Sequence, residues 1–149
     1  MTMSKLVQLP CLCASVRRAA RTLTSLYDEA LRKHGMTITQ FTILQALQLA
    51  GPVAQGQLGE ILAIDSTTLT RSLRPLVKNG WIGRVPGTDR RAWSLSLAKQ
   101  GKLAYETALP DWEATQRALR KKLGPGAWLD TFHSSDKLTT AAQSIGGNK

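Results

Sequence analysis

Apolar positions along this 149-residue chain recur mostly at helical spacing, and one short stretch alternates instead. After Pro10, Val16, Ala19, Leu23, Leu26, Ala30 and Leu31 form the stripe of a first helix reaching about His34. Arg17, Arg18, Arg21 and Asp28 lie largely off that stripe, and Gly35 reads as its stop. Thr37 or Thr39 can cap a second helix that carries Phe41, Leu44, Leu47 and Leu49 and closes at Gly51-Pro52. A short third helix is predicted over Gln55 to Leu62, with Leu58 and Ile61 inward. Ala63-Ile64-Asp65 makes a turn, and Asp65 or Ser66 caps a fourth helix that continues to Asn79-Gly80. Its buried face is Leu69, Leu73, Leu76 and Val77. Pro75 should kink this helix rather than end it, because the apolar spacing continues beyond it.

The alternating stretch follows. Trp81 to Val85 reads as a strand, Pro86-Gly87-Thr88-Asp89 as a turn-rich loop, and Ala92 to Leu97 as the returning strand, where Trp93, Leu95 and Leu97 alternate with Ser94 and Ser96. A long helix begins near Ala98 and runs towards Lys122, with Pro110 as a point of bending or interruption. Gly124-Pro125-Gly126 separates it from a last helix containing Trp128, Leu129, Phe132, Leu138 and Ala142, and residues 146–149 are expected to be a disordered tail. The fold class is therefore mainly α with a small β-wing: a winged helix-turn-helix lobe over 36–100, a dimerisation helix over 1–35 and dimerisation helices over 101–145. The first and last helices are amphipathic and lie at opposite ends of the chain. Packing them together and against a second copy buries both stripes; a monomeric helical bundle is the alternative.

Charge sharpens this picture. The formal net charge is +10, and between Arg71 and Lys102 eight Lys or Arg residues stand against the single acid Asp89. Concentrated there, positive charge suits a phosphate backbone, although a membrane surface or an acidic protein would also accept it. Short hydroxyls such as Ser66, Thr67, Thr68 and Thr70 can bond base edges or phosphates, and Arg71 and Arg74 offer a bidentate fork. No signal-peptide pattern opens the chain and no run approaches eighteen apolar residues, so a cytoplasmic protein away from the membrane is expected. Enzyme chemistry is not expected. The chain lacks a Gly-rich phosphate cradle and clustered carboxylates, its two histidines, His34 and His133, are far apart, and Ser134-Ser135 has no evident base. No cofactor or metal is expected either, since Cys11, Cys13 and His34 would need a fourth ligand.

The ordered set Leu58-Gly-Glu-Ile-Leu, Ser66-Thr-Thr-Leu-Thr-Arg71, Leu76 through Gly80-Trp-Ile, Asp89-Arg-Arg91, and Leu95-Ser-Leu97 leading to Gly101 resembles the MarR family of winged helix-turn-helix transcriptional regulators. The resemblance covers about residues 12 to 140. It implies a homodimer on a pseudo-palindromic double-stranded operator, usually a repressor, with the fourth helix in the major groove and the wing tip in the adjacent minor groove. Ser66, Thr67, Thr68, Thr70, Arg71 and Arg74 would then meet bases and phosphates. Arg91, braced by Asp89 and beside Arg90, would enter the minor groove, and Arg84 would be a phosphate contact or simple surface. Where many relatives begin the next helix with Leu-Thr, this chain has Leu97-Ala98.

The same resemblance raises two modes of control. A small aromatic or anionic effector would lodge between the dimerisation helices and the DNA-binding lobe, near Arg21, Tyr27, His34 and Phe41. A peroxide-sensing branch is similar in placing a reactive cysteine where Cys13 stands and a tyrosine at Tyr27. This chain departs from that branch at Ile38, where a second tyrosine would be expected, and only Cys11 could serve as a resolving thiol. An inert thiol pair is the alternative. A winged helix turned to protein interaction is a further one, at odds with the cations kept at Arg71, Arg74, Arg90 and Arg91.

Overall fold

The structure, a computed structural model, describes residues 6–89 and 92–147. Its elements are α1 (Leu12–Leu31), a single 3-10 turn (Arg32–His34), α2 (Ile38–Ala50), β1 (Val53–Ala54), α3 (Gln55–Leu62), α4 (Ser66–Lys78), β2 (Ile82–Pro86), β3 (Trp93–Leu97), α5 (Lys99–Leu123) and α6 (Pro125–Gly146). They form two compact units, residues 1–112 and 113–149.

In the first unit each helix boundary has a local cause. Gly35 takes the left-handed conformation at φ 63° and ends the first helical run. Thr37 and Gln40 form a reciprocal capping box on α2: Gln40 N–H donates to Thr37 Oγ1 at 3.2 Å, and Thr37 N–H donates to Gln40 Oε1 at 2.9 Å. Asp28 of α1 also accepts the Ile38 N–H at 2.7 Å, tying the end of α1 to the start of α2. The turn between α3 and α4 closes through Ala63, at φ 51°, the one non-glycine residue with positive φ among those described.

The core gathers Leu31, Phe41, Leu44, Leu47, Leu58, Leu69, Leu73 and Leu76 with Ile82, Leu95, Tyr105 and Ala108. Phe41 has no exposed surface and its ring lies 5.0 Å from that of Tyr105 and 5.4 Å from that of Trp112. Tyr105 and Trp112 flank Pro110 on α5, so a single core ring holds the helix on both sides of the proline. That grip explains why α5 runs through Pro110 unbroken. α4 likewise continues through Pro75.

Several expected positions fall elsewhere. Leu49, Ile61 and Val77 are exposed, and Val77 lines the open groove between α4 and the hairpin. Trp93 is exposed while Leu95 is buried, so the alternation of β3 is only half covered. α6 extends through Gly146, one residue into the expected tail. β1, two residues long, was not anticipated; it makes the sheet three-stranded in the order β1-β3-β2, with Val53 opposite Leu95. Gly101 lets α5 pass beneath the first strand of the hairpin, since a Cβ there would overlap the backbone carbonyl of Trp81.

Candidate nucleic-acid interface

The exposed face of α4 is organised from its first residue. Asp65 caps the helix, accepting the Thr68 N–H at 2.9 Å and the Thr68 hydroxyl at 2.5 Å. These bonds, the hydroxyl foremost, hold the Asp65 carboxyl below its ordinary value of 3.8. The Thr68 hydroxyl is thus committed to the cap. Thr70 donates to the Ser66 carbonyl at 2.8 Å and accepts from Gln55 Nε2 at 3.0 Å, so it links the recognition helix to the start of α3. Ser66, Thr67, Thr70, Arg71 and Arg74 line one shallow cleft of about 320 Å³. Five of the expected contact residues are therefore brought together.

A second groove, about 420 Å³, runs between α4 and the wing and includes Arg74, Lys78 and Arg84 with Leu73 and Leu95. Among the described residues no carboxylate lies within salt-bridge distance of Arg71, Arg74, Lys78 or Arg84. Their charge faces solvent uncompensated, an arrangement that attracts polyanions. Gln55 and Lys78 were missed in the sequence reading. The i, i+3, i+7 spacing of Arg71, Arg74 and Lys78 carried the signal for the lysine; nothing local marked Gln55. At the wing tip, Gly87 N–H donates to the Ala92 carbonyl at 2.8 Å and Ala92 N–H to the Asp89 carbonyl at 3.0 Å. Arg90 and Arg91, and with them the bracing of Arg91 by Asp89, lie outside the described residues.

Among the residues considered for control, Arg21 lines an open groove on α1 with Arg17, Ala20, Thr24 and Ser25. Phe41 is core. Tyr27 is buried, which pushes its phenol above the ordinary 10.0. His34 Nε2 pairs with Asp111 Oδ2 at 2.7 Å, and Lys33 reaches the other oxygen at 3.0 Å. Those two contacts, the histidine first, hold the Asp111 carboxyl below 3.8. Cys11 and Cys13 are free and exposed at the start of α1. Tyr27 follows Cys13 by fourteen residues of the same helix, about 21 Å along its axis, so a hydrogen bond between them requires a second copy of the chain. Among the described residues no three His, Cys, Asp or Glu side chains gather to hold a metal, and no helix is long and apolar enough to cross a membrane.

A helix-turn-helix whose second helix and adjoining hairpin present this much uncompensated positive charge is a winged-helix nucleic-acid-binding module. Comparison with known proteins narrows the class. The model of the MarR family matches residues 36–92. A solved Mycobacterium tuberculosis transcriptional regulator, MosR, in complex with DNA superposes with a TM-score of 0.81 at 32% identity, covering 91% of this chain and 98% of that one. An uncharacterised HTH-type regulator of Bacillus subtilis, YwoH, is 30% identical over 91 residues, 61% of this chain and 66% of that protein. The multiple antibiotic resistance protein MarR of Salmonella typhimurium is 36% identical over 72 residues, 48% of this chain and 50% of that protein. The chain thus spans less than two thirds of the length of these two curated relatives. It belongs to the MarR family of winged helix-turn-helix transcriptional regulators, which are DNA-binding proteins and not enzymes.

Proposed function

We propose that this protein is a homodimeric, sequence-specific repressor that binds a pseudo-palindromic duplex operator. The observation that carries the reading is the α4 face, where Ser66, Thr67, Thr70, Arg71 and Arg74 converge on one cleft beside the cationic groove of Arg74, Lys78 and Arg84. The similar Mycobacterium tuberculosis regulator was solved with DNA. Two copies are favoured by apolar side chains exposed in the single chain: Leu12, Val16, Leu23 and Leu26 on α1, and Leu129 and Phe132 on α6. Amphipathic faces of that length are ordinarily covered by a partner, and a two-fold pair of recognition helices matches a palindrome. Release of DNA follows either a small-molecule effector or oxidation of the exposed Cys11 and Cys13.

Selection from a genomic duplex library, with reduced protein and again after mild peroxide and reductant, tests the reading. Enrichment of a palindrome is expected. Arg71→Ala should weaken the selected operator by about tenfold and relax specificity, as for loss of a base-reading fork. Arg84→Ala should weaken all duplexes modestly and lower the salt slope by about one. Failure of the reduced protein to enrich any duplex refutes DNA recognition. Enrichment insensitive to peroxide leaves the cysteines structural and directs attention to an effector.

A further inference from the structure

Trp93, on the last rung of the hairpin before its tip, contributes little to the core. Of the four tryptophans, Trp81, Trp112 and Trp128 are half-buried, whereas Trp93 is 61% exposed, an uncommon state for the largest apolar side chain. It begins β3 directly opposite Pro86 of β2, two residues along from the pair Arg84–Leu95. Opposed residues of an antiparallel pair share a sheet face, and strand parity puts Trp93 and Pro86 on the face of Leu95, Arg84 and Ile82. Arg84 and Leu95 line the groove that α4 closes with Leu73, Arg74 and Lys78. Trp93 therefore extends the wall facing the recognition helix, about 7 Å beyond the last buried residue of the strand. It forms a small apolar step one rung beyond the pair Arg84–Leu95. Two exposed apolar residues, Pro86 and Trp93, are too few for a protein-docking patch. The groove along the same sheet face, with Arg74, Lys78 and Arg84, instead complements a polyanion.

We propose that Trp93 contacts the DNA backbone, with its ring packed on a deoxyribose and its N–H donating to a phosphate oxygen. Indole has one apolar face and one polar edge, which suits a surface of alternating sugar and phosphate. The inference rests on the DNA-binding reading and adds to it a contact that carries neither formal charge nor base code.

The test is titration of the full-length chain with its selected operator at several salt concentrations. Trp93→Ala should bind about tenfold more weakly with an unchanged salt slope, because no charge is lost, while Trp93→Phe should retain most of the affinity. Wild-type affinity in Trp93→Ala overturns the proposal and leaves the DNA-binding reading standing; absence of any duplex binding by the wild type ends both. If Trp93→Ala does not fold, 5-fluorotryptophan-labelled wild-type protein decides the matter by fluorine NMR. The Trp93 resonance, assigned as the one missing in Trp93→Phe, should lose its solvent-isotope shift when operator is added. Retention of that shift in the operator-bound protein overturns the contact.

Discussion

Replacing Gly101 by alanine should reverse the usual sign of a glycine-to-alanine change in a helix. In open space such a change stabilises by about 0.4–1 kcal/mol, since it narrows the unfolded ensemble and favours the helix. Gly101 is buried in the first turn of α5, and an added Cβ would stand 2.7 Å from the Trp81 carbonyl carbon and 2.9 Å from its Cα. The Trp81 oxygen already accepts the Ala98 N–H at 2.9 Å, so the strand cannot retreat without losing that bond. Backbone meets backbone here, and no flexible side chain can give way. Overpacking of this kind costs about 1–3 kcal/mol, and in a chain of this size each kcal/mol moves the melting temperature by about 2–4 °C. Gly101→Ala should therefore melt about 2–12 °C below the wild type by circular dichroism. Gly56, exposed on α3 with nothing within 4 Å of a built Cβ, is the control; Gly56→Ala should melt about 1–3 °C higher. If Gly101→Ala melts at or above the wild type, α5 does not pass under Trp81 and the account of how helix and wing are joined is wrong.

Phe41→Ala removes the ring that joins α2 to Tyr105 and Trp112 on either side of Pro110; a loss of about 3–5 kcal/mol is expected in urea unfolding, and a loss below about 1 kcal/mol would mean that the aromatic cluster does not form. Ala63→Gly frees the turn between α3 and α4 from a left-handed alanine at φ 51° and should stabilise by about 1 kcal/mol; a decrease in the denaturant midpoint contradicts that conformation. Acid should weaken the fold through Asp65 and Asp111. Their folded-state pKa values lie below the ordinary 3.8, so their contribution is complete above that value and is lost as pH falls through the folded values. Urea midpoints of Asp65→Asn and Asp111→Asn should differ from wild type at neutral pH, and the difference should shrink in strong acid; a gap that persists there argues against both partner sets.

Local chemistry made much of this molecule legible. Thr37 with Gln40, Gly35 and the limits of α3 at Gln55 and Leu62 are set by interactions within a few residues, so the residues that make the boundary also announce it. The candidate interface was readable for the same reason, because hydroxyls and arginines on one face of α4 are a matter of helical spacing. Gln55 was not, since its bond to Thr70 spans fifteen residues.

The sequence by itself determined the helix order, the positive face of α4 and the buried run Leu69, Leu73 and Leu76, since each follows from periodicity and nearest-neighbour bonding. Only the tertiary structure decided that Leu49, Ile61, Val77 and Trp93 stay exposed, that β1 joins the hairpin, and that α5 survives Pro110. Periodicity specifies a direction around a helix or across a strand. How far that direction is covered depends on where other elements come to rest, and that is settled by packing between distant residues such as Phe41 and Trp112 or Gly101 and Trp81.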